Sequence, residues 1–172
     1  MRTRPAIGPP WAKQSWRLRS QLLLFTSLKF IHIVSAIVAV GMNISSALWL
    51  MRASRQPEHA AFAFKWIKFI DDRVANPAYG LLLITGLLMV FVLPYPITTF
   101  WIDVALVLYA AMIVLAIAFF TPALKEQVRL AEAGEMSSPA YHRIERRGQL
   151  SGQVIGLIVL VILAMMVFKP TL

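Results

Sequence analysis

Residues 30–50 read FIHIVSAIVAVGMNISSALWL. The run has no formally charged residue, and as a helix rising 1.5 Å per residue it measures about 30 Å, the thickness of a bilayer's hydrocarbon core. It is the centre of a longer apolar segment from about Leu22 to Met51, interrupted by Lys29. The segment is too long for a removable signal peptide and lacks the small-residue cleavage site of one, so it reads as a first membrane helix. The one ionisable group of residues 30–50 is His32, about one turn in from the end nearer Lys29. Ionisable side chains are costly in lipid and mark functional candidates.

Three further segments follow the same logic. Residues 74–93 form the second, with Asp71 and Asp72 just before it, where a helix N-terminus favours negative charge, and Pro77 in its first turn. Pro94 and Pro96 end it in a tight turn. Residues 100–121 form the third, closed by Pro122. The polar stretch that follows carries Lys125, Glu126, Arg129, Glu132 and Glu135 on a helical extension, which Gly134 breaks. Ser138-Pro139 reads as the cap and first turn of a short helix carrying Arg143, Glu145, Arg146 and Arg147. Residues 150–168 form the fourth segment, ended by Lys169-Pro170. Backbone in lipid must satisfy its own hydrogen bonds, so the fold class is all-α: an integral membrane four-helix bundle over residues 21–172, without a repeat of fixed period.

Composition agrees. Of the 172 residues, 59% are hydrophobic, against about 45–50% in soluble domains. The absence of cysteine excludes disulfides, zinc–thiolate sites, iron–sulfur clusters and thiol nucleophiles. The formal charge is +9, and the basic residues flank apolar segments, which points to anionic lipid rather than nucleic acid. Residues 1–20 form a basic, irregular N-terminal arm with Arg2, Arg4, Lys13, Arg17 and Arg19 among Trp11, Trp16 and three prolines. Tryptophans of this kind suit the headgroup layer, and a disordered tail is the alternative.

Four spans place both termini on one side. Ten of the 17 basic residues fall in the connections between spans 1 and 2 and spans 3 and 4. The turn between spans 2 and 3 has none. The positive-inside rule therefore puts those two connections in the cytoplasm and the termini in the periplasm of a bacterial inner membrane, against the pull of the basic arm.

At 100° per residue, Lys29, His32, Ala36, Ala39, Asn43 and Ala47 fall in one stripe of the first helix. Small and polar residues mark helix–helix contacts in membranes, so this face is expected to turn toward the bundle or a partner. Gly148, Gly152 and Gly156 repeat the small-xxx-small spacing at the start of the fourth helix, with Gln149 and Gln153 beside it. Asp103 lies one turn into the third helix, on the same membrane side as Lys29 and His32, and is a candidate to pair with either; the alternative is a carboxylate at a helix N-terminus reaching water. On the other side Asp71, Asp72, Arg73, Asn76 and Arg147 suggest an ion-pair network.

Among chemistries, haem or another tetrapyrrole is the sharpest possibility, with His32 as an axial ligand. Bis-histidine ligation is excluded because His59 and His142 lie in polar connections. Methionines such as Met42, Met89 and Met112 are available, but membrane methionines serve mostly as packing. A transporter is a weaker expectation, since carboxylates deep in the spans and paired soft-metal motifs are lacking. No serine–histidine–acid, phosphate-loop or metalloprotease spacing occurs.

These residues resemble a family of small bacterial membrane proteins, domain of unknown function 2269. The likeness rests on Leu28-Lys29-Phe30-Ile31-His32-Ile33, Asp72-Arg73 with Pro77 and Thr85-Gly86, Trp101-Ile102 with Tyr109, Pro122, and Met166-Val167-Phe168-Lys169-Pro170. It implies four membrane helices and no assigned activity. More distantly the layout is similar to protoporphyrinogen oxidases of the HemJ type and to copper-resistance membrane domains, from which only His32 carries over, as a tetrapyrrole ligand. The third helix lacks the membrane-embedded lysine of the enzyme, because Lys125 follows Pro122. The long basic arm also departs from the family and suits docking. The leading expectation is a non-catalytic accessory subunit or assembly factor of a respiratory or photosynthetic complex, with other membrane subunits as partners.

Overall fold

A computed structural model describes residues 10–53, 55–92 and 99–170. Its helices are α1 (Pro10–Ala53), α2 (Pro57–Ile70), α3 (Asn76–Val92), α4 (Phe100–Leu115), α5 (Thr121–Glu132) and α6 (Pro139–Phe168). Single π-helical turns join α2 to α3 (Asp71–Ala75) and α4 to α5 (Ala116–Phe120). The chain is therefore four long helices, each of membrane-spanning length and apolarity, and no strand occurs among the described residues.

The helices are longer than their apolar windows. Residues 10–20, expected to be irregular, are the first turns of α1, a single helix of 44 residues. The second span does not begin at Val74, because the helix runs through Asp71 and Asp72 from α2. Likewise Pro122 does not close the third span, and α6 begins at Pro139 rather than at residue 150. The expected turn at Pro94 and Pro96, and residues 1–9 of the arm, lie outside the described residues.

The π turns explain how proline is carried inside two of these helices. Proline lacks the N–H that would bond the carbonyl four residues back, and its ring crowds that carbonyl. Each π turn ends two residues before a proline, Pro77 in one case and Pro122 in the other. The widened turn makes room for the ring, as π-bulges do within α-helices. At Pro122 the bereft carbonyl is that of Ala118, and Arg147 Nη2 donates to it at 3.4 Å. Proline at the first turn of α6 costs nothing, since its N–H would be unpaired there anyway. The side chain of Ser138 caps this start by accepting from the Tyr141 N–H at 3.1 Å. Gly134 turns the chain at φ 72°, and Lys169 ends α6 in the left-handed region at φ 45°.

Two layers result. In the membrane layer α1 packs on α3 and α4 on α6, around a core of Tyr109, Met112, Ile155 and Val159 with Val40, Tyr79 and Leu82. Its outer face is apolar and open: Phe91 is 72% exposed and Val107 is 69% exposed. Such a surface would aggregate in water and is natural in lipid. The second layer stands on one side of the membrane and consists of the end of α1, α2, α5 and the start of α6. Its own core is Ala60, Phe64, Ile67, Leu124, Leu130 and Tyr141. Here α5 is amphipathic, with Ala123, Leu124, Gln127 and Leu130 buried, and Lys125, Glu126 and Arg129 outward or partly so. The Lys65–Glu132 ion pair ties α2 to α5.

Candidate functional site

The polar residues of α1 meet α3 in a seam. His32 Nδ1 lies 3.0 Å from Thr85 Oγ1. The Thr85 hydroxyl is 2.6 Å from the Leu81 carbonyl and 3.3 Å from that of Leu82. A threonine in a membrane helix commonly donates its proton back to the preceding turn in this way. With that proton directed at the carbonyls, Thr85 Oγ1 has a lone pair to accept from His32 Nδ1–H, the pairing made by a neutral ring with its proton on Nδ1. Gly86 makes the contact possible: a Cβ there would stand 3.2 Å from His32 Cε1. The imidazole therefore lies against bare backbone of α3, with Thr85 itself buried.

Deeper in the membrane, Asn43 Nδ2 donates to the Tyr79 hydroxyl at 3.1 Å. The Tyr109 hydroxyl donates in turn to the Tyr79 carbonyl at 2.6 Å, which links α4 to the α1–α3 pair. At the boundary with the outer layer, Ser46 Oγ donates to Asp71 Oδ1 at 3.4 Å. Each bond joins two different helices, and in lipid such bonds act as glue.

The seam is rotated slightly from the stripe expected on α1. His32, Ala36, Ala39 and Asn43 belong to it, whereas Lys29 and Ala47 are exposed. Ser35 and Ser46, absent from the expected stripe, are buried in it. Thr85, Gly86 and Tyr109 were visible only as parts of the family likeness, and Tyr79 carried no signal. A helical wheel shows which face is polar but not which residues of another helix will answer it.

Asp103 does not join this site. It is exposed on α4, and among the described residues it makes no ion pair, with Lys29, with His32 or otherwise. The physical reason is the packing order, since α1 lies against α3 while α4 lies against α6. Nor do Asp71, Asp72, Arg73, Asn76 and Arg147 form one network. Asp72 pairs with Lys68, Asp71 accepts from Ser46, and the Arg73 guanidinium sits 5.9 Å from the Phe69 ring. The glycines of α6 divide. A Cβ on Gly148 would meet Ala123 and Gln127 at 3.6 Å, and one on Gly152 would meet the Phe120 ring at 3.5 Å. Gly156 has nothing within 4 Å, so it is not part of the close contact.

Chemically, the seam offers one imidazole, and hydroxyls already engaged by backbone carbonyls, an amide and a carboxylate. No group of three or more histidines, cysteines or acids able to hold a metal ion occurs among the described residues.

Neither a curated protein nor a solved structure matches the chain. A family model described as a predicted integral membrane protein matches residues 26–170, which takes in all four spans, the His32 seam and the Lys169-Pro170 ending. The chain belongs to that family, the integral membrane proteins of domain of unknown function 2269.

Proposed function

We propose that this protein is a non-catalytic subunit or assembly factor that docks onto a larger membrane complex. The observation that carries the reading is α1. From the level of His32, α3 continues only from Thr85 to Val92, about 10 Å at 1.5 Å per residue. α1 continues in the same direction from His32 to Pro10, about 33 Å. Its N-terminal turns thus run past the end of α3, and they carry exposed Trp16, Leu18, Leu22, Leu23 and Leu24. A helix end with exposed apolar side chains among Lys13, Arg17 and Arg19 that outruns its own bundle suits the surface of another protein. The polar seam fits the same role, since its groups hold one another rather than line an open path. The proposed setting is the bacterial inner membrane, with the basic outer layer in the cytoplasm and the projecting end of α1 in the periplasm.

The test is a photocrosslinkable residue at Leu22 or Leu23, with Val107 on the lipid face as control. A single discrete adduct of stoichiometric yield from the α1 positions supports docking. Lipid adducts only, from all three positions, overturn it.

One observation favours a second reading. His32 Nδ1 lies 3.0 Å from Thr85 Oγ1, a hydrogen-bond partner of the kind that orients a metal-ligating imidazole. On that reading His32 supplies one axial nitrogen to a tetrapyrrole. Absorption spectra decide: a Soret band lost in His32→Ala favours it, and a colourless preparation from haem-replete cells removes it.

A further inference from the structure

The outer face of α6 carries a feature that the His32 seam does not use. A groove of about 380 Å³ lies between α6 and the end of the third span. Leu115, Phe119 and Val154 form its apolar walls, and Arg143, Arg146 and Arg147 stand at its mouth. No carboxylate lines it. Glu145, the acid nearest in sequence, sits on the opposite face of α6, against a smaller cavity beside Leu124, within 3.6 Å of His142.

The vertical order of these groups follows from the helix rise. Arg147 stands level with the π turn, donating to the Ala118 carbonyl, with its guanidinium 5.2 Å from the Phe119 ring. That turn is the boundary between the membrane layer and the outer layer. Arg143 lies about 6 Å further out, and Val154 about 10 Å deeper, at 1.5 Å per residue. Below Arg147, α6 has no charged residue as far as Phe168. Basic groups at headgroup depth therefore sit over an apolar channel that descends into the hydrocarbon. The arginines keep donors in hand. A guanidinium has five N–H groups. Arg147 uses one on Ala118, and Arg143 gives one to the Pro139 carbonyl at 3.3 Å. Arg146 makes no hydrogen bond or ion pair among the described residues.

We infer that this groove binds one anionic glycerophospholipid of the surrounding leaflet. The three arginines hold its phosphate, and one acyl chain lies along Leu115 and Val154. Charge complementarity selects the headgroup, since planar guanidinium forks match phosphate oxygens. Depth selects a lipid over a soluble phosphate ester, because only a lipid brings an apolar tail to the lower half of the groove. Basic pockets between membrane helices recognise anionic headgroups in this manner.

The experiment is native mass spectrometry of the full chain in detergent with equimolar phosphatidylglycerol and phosphatidylcholine. The wild type is expected to retain phosphatidylglycerol with at least about a fivefold preference, the effect of about one basic residue near a membrane surface. Arg143→Gln/Arg146→Gln/Arg147→Gln is expected to abolish the preference, while Arg52→Gln/Arg55→Gln/Lys125→Gln, which removes equal charge from the same side, is expected to keep it. Val154→Trp, which fills the channel and leaves the arginines, is expected to lower lipid occupancy. Equal losses from both triple variants would mean diffuse surface charge and overturn the site, as would a wild type without preference. Displacement of the lipid by millimolar inorganic phosphate would overturn the lipid assignment. If the first triple variant fails to fold, the single Arg146→Gln, which breaks no internal contact, is expected to lose about fivefold, and no change there overturns the proposal.

Discussion

The two helix pairs of the membrane layer are held by different means. α1 and α3 meet through hydrogen bonds: His32 to Thr85, Asn43 to Tyr79, and Ser46 to Asp71 at the layer boundary. α6 meets the third span through Tyr109, Met112, Ile155 and Val159, and through two glycines that admit Ala123, Gln127 and Phe120. Lipid is as apolar as leucine, so neither pair is driven together by a hydrophobic effect. One uses directional bonds, which choose partner and register. The other uses close approach, which fails as soon as a side chain intrudes. The contrast predicts that the glycine seam is the more sensitive to a single substitution and the polar seam the more sensitive to pairing.

The sharpest way to break that contrast is at the glycines. Gly148→Leu places a branched side chain where even a Cβ is already in contact, and is expected to destabilise by about 1–3 kcal/mol, the usual cost of overpacking. Gly156→Leu, on the same helix and at the same spacing, faces open space and is expected to stay within about 0.5 kcal/mol of wild type. Unfolding midpoints in mixed detergent micelles compare the two. Equal losses would mean that the close contact at Gly148 does not set the sensitivity of this face, since Gly→Leu raises helix propensity at both positions.

The polar seam is tested by pairing. A double-mutant cycle of His32→Ala with Thr85→Val isolates the imidazole–hydroxyl bond, with an expected coupling of about 0.6 kcal/mol and no more than about 1.7, the range found for hydrogen bonds between membrane helices. Zero coupling in the same unfolding assay would reduce His32 to a packing residue. An effect of the same size is expected for Tyr109→Phe. It removes only the donor to the Tyr79 carbonyl and keeps the ring in the core, for a loss of about 0.6 kcal/mol. A larger loss would show that this bond, a polar link from α4 to the α1–α3 pair, is what holds the two pairs together.

Much of the fold is legible in particular residues. Four apolar windows, the Ser138-Pro139 start, the Gly134 break and the Lys169-Pro170 ending are local signals, because each depends on a residue's own backbone preference or on the length of an apolar run. The prolines show where local reading stops. Pro77 and Pro122 look like helix boundaries, since a proline within a helix costs a hydrogen bond and a clash. The structure carries both inside continuous helices through π turns, and in one case Arg147, 29 positions away in sequence, answers the carbonyl left over. Nothing near Pro122 announces that arginine.

The candidate site divides in the same way. His32 was conspicuous from sequence because an ionisable group in an apolar run is rare. That its ring would rest on Gly86, bond Thr85 and leave Asp103 aside depended on α3, not α4, packing against α1. Membrane helices of similar apolarity are nearly interchangeable as neighbours until small residues and polar groups meet their complements. The sequence by itself thus determined the number of spans, their apolar windows and the central part of the polar face of α1, since these follow from transfer to lipid and from helix periodicity. Only the tertiary structure decided which helices touch, that His32 meets Thr85 over Gly86, and that three arginines of α6 open onto an apolar groove, because these are properties of pairs of helices that no single segment contains.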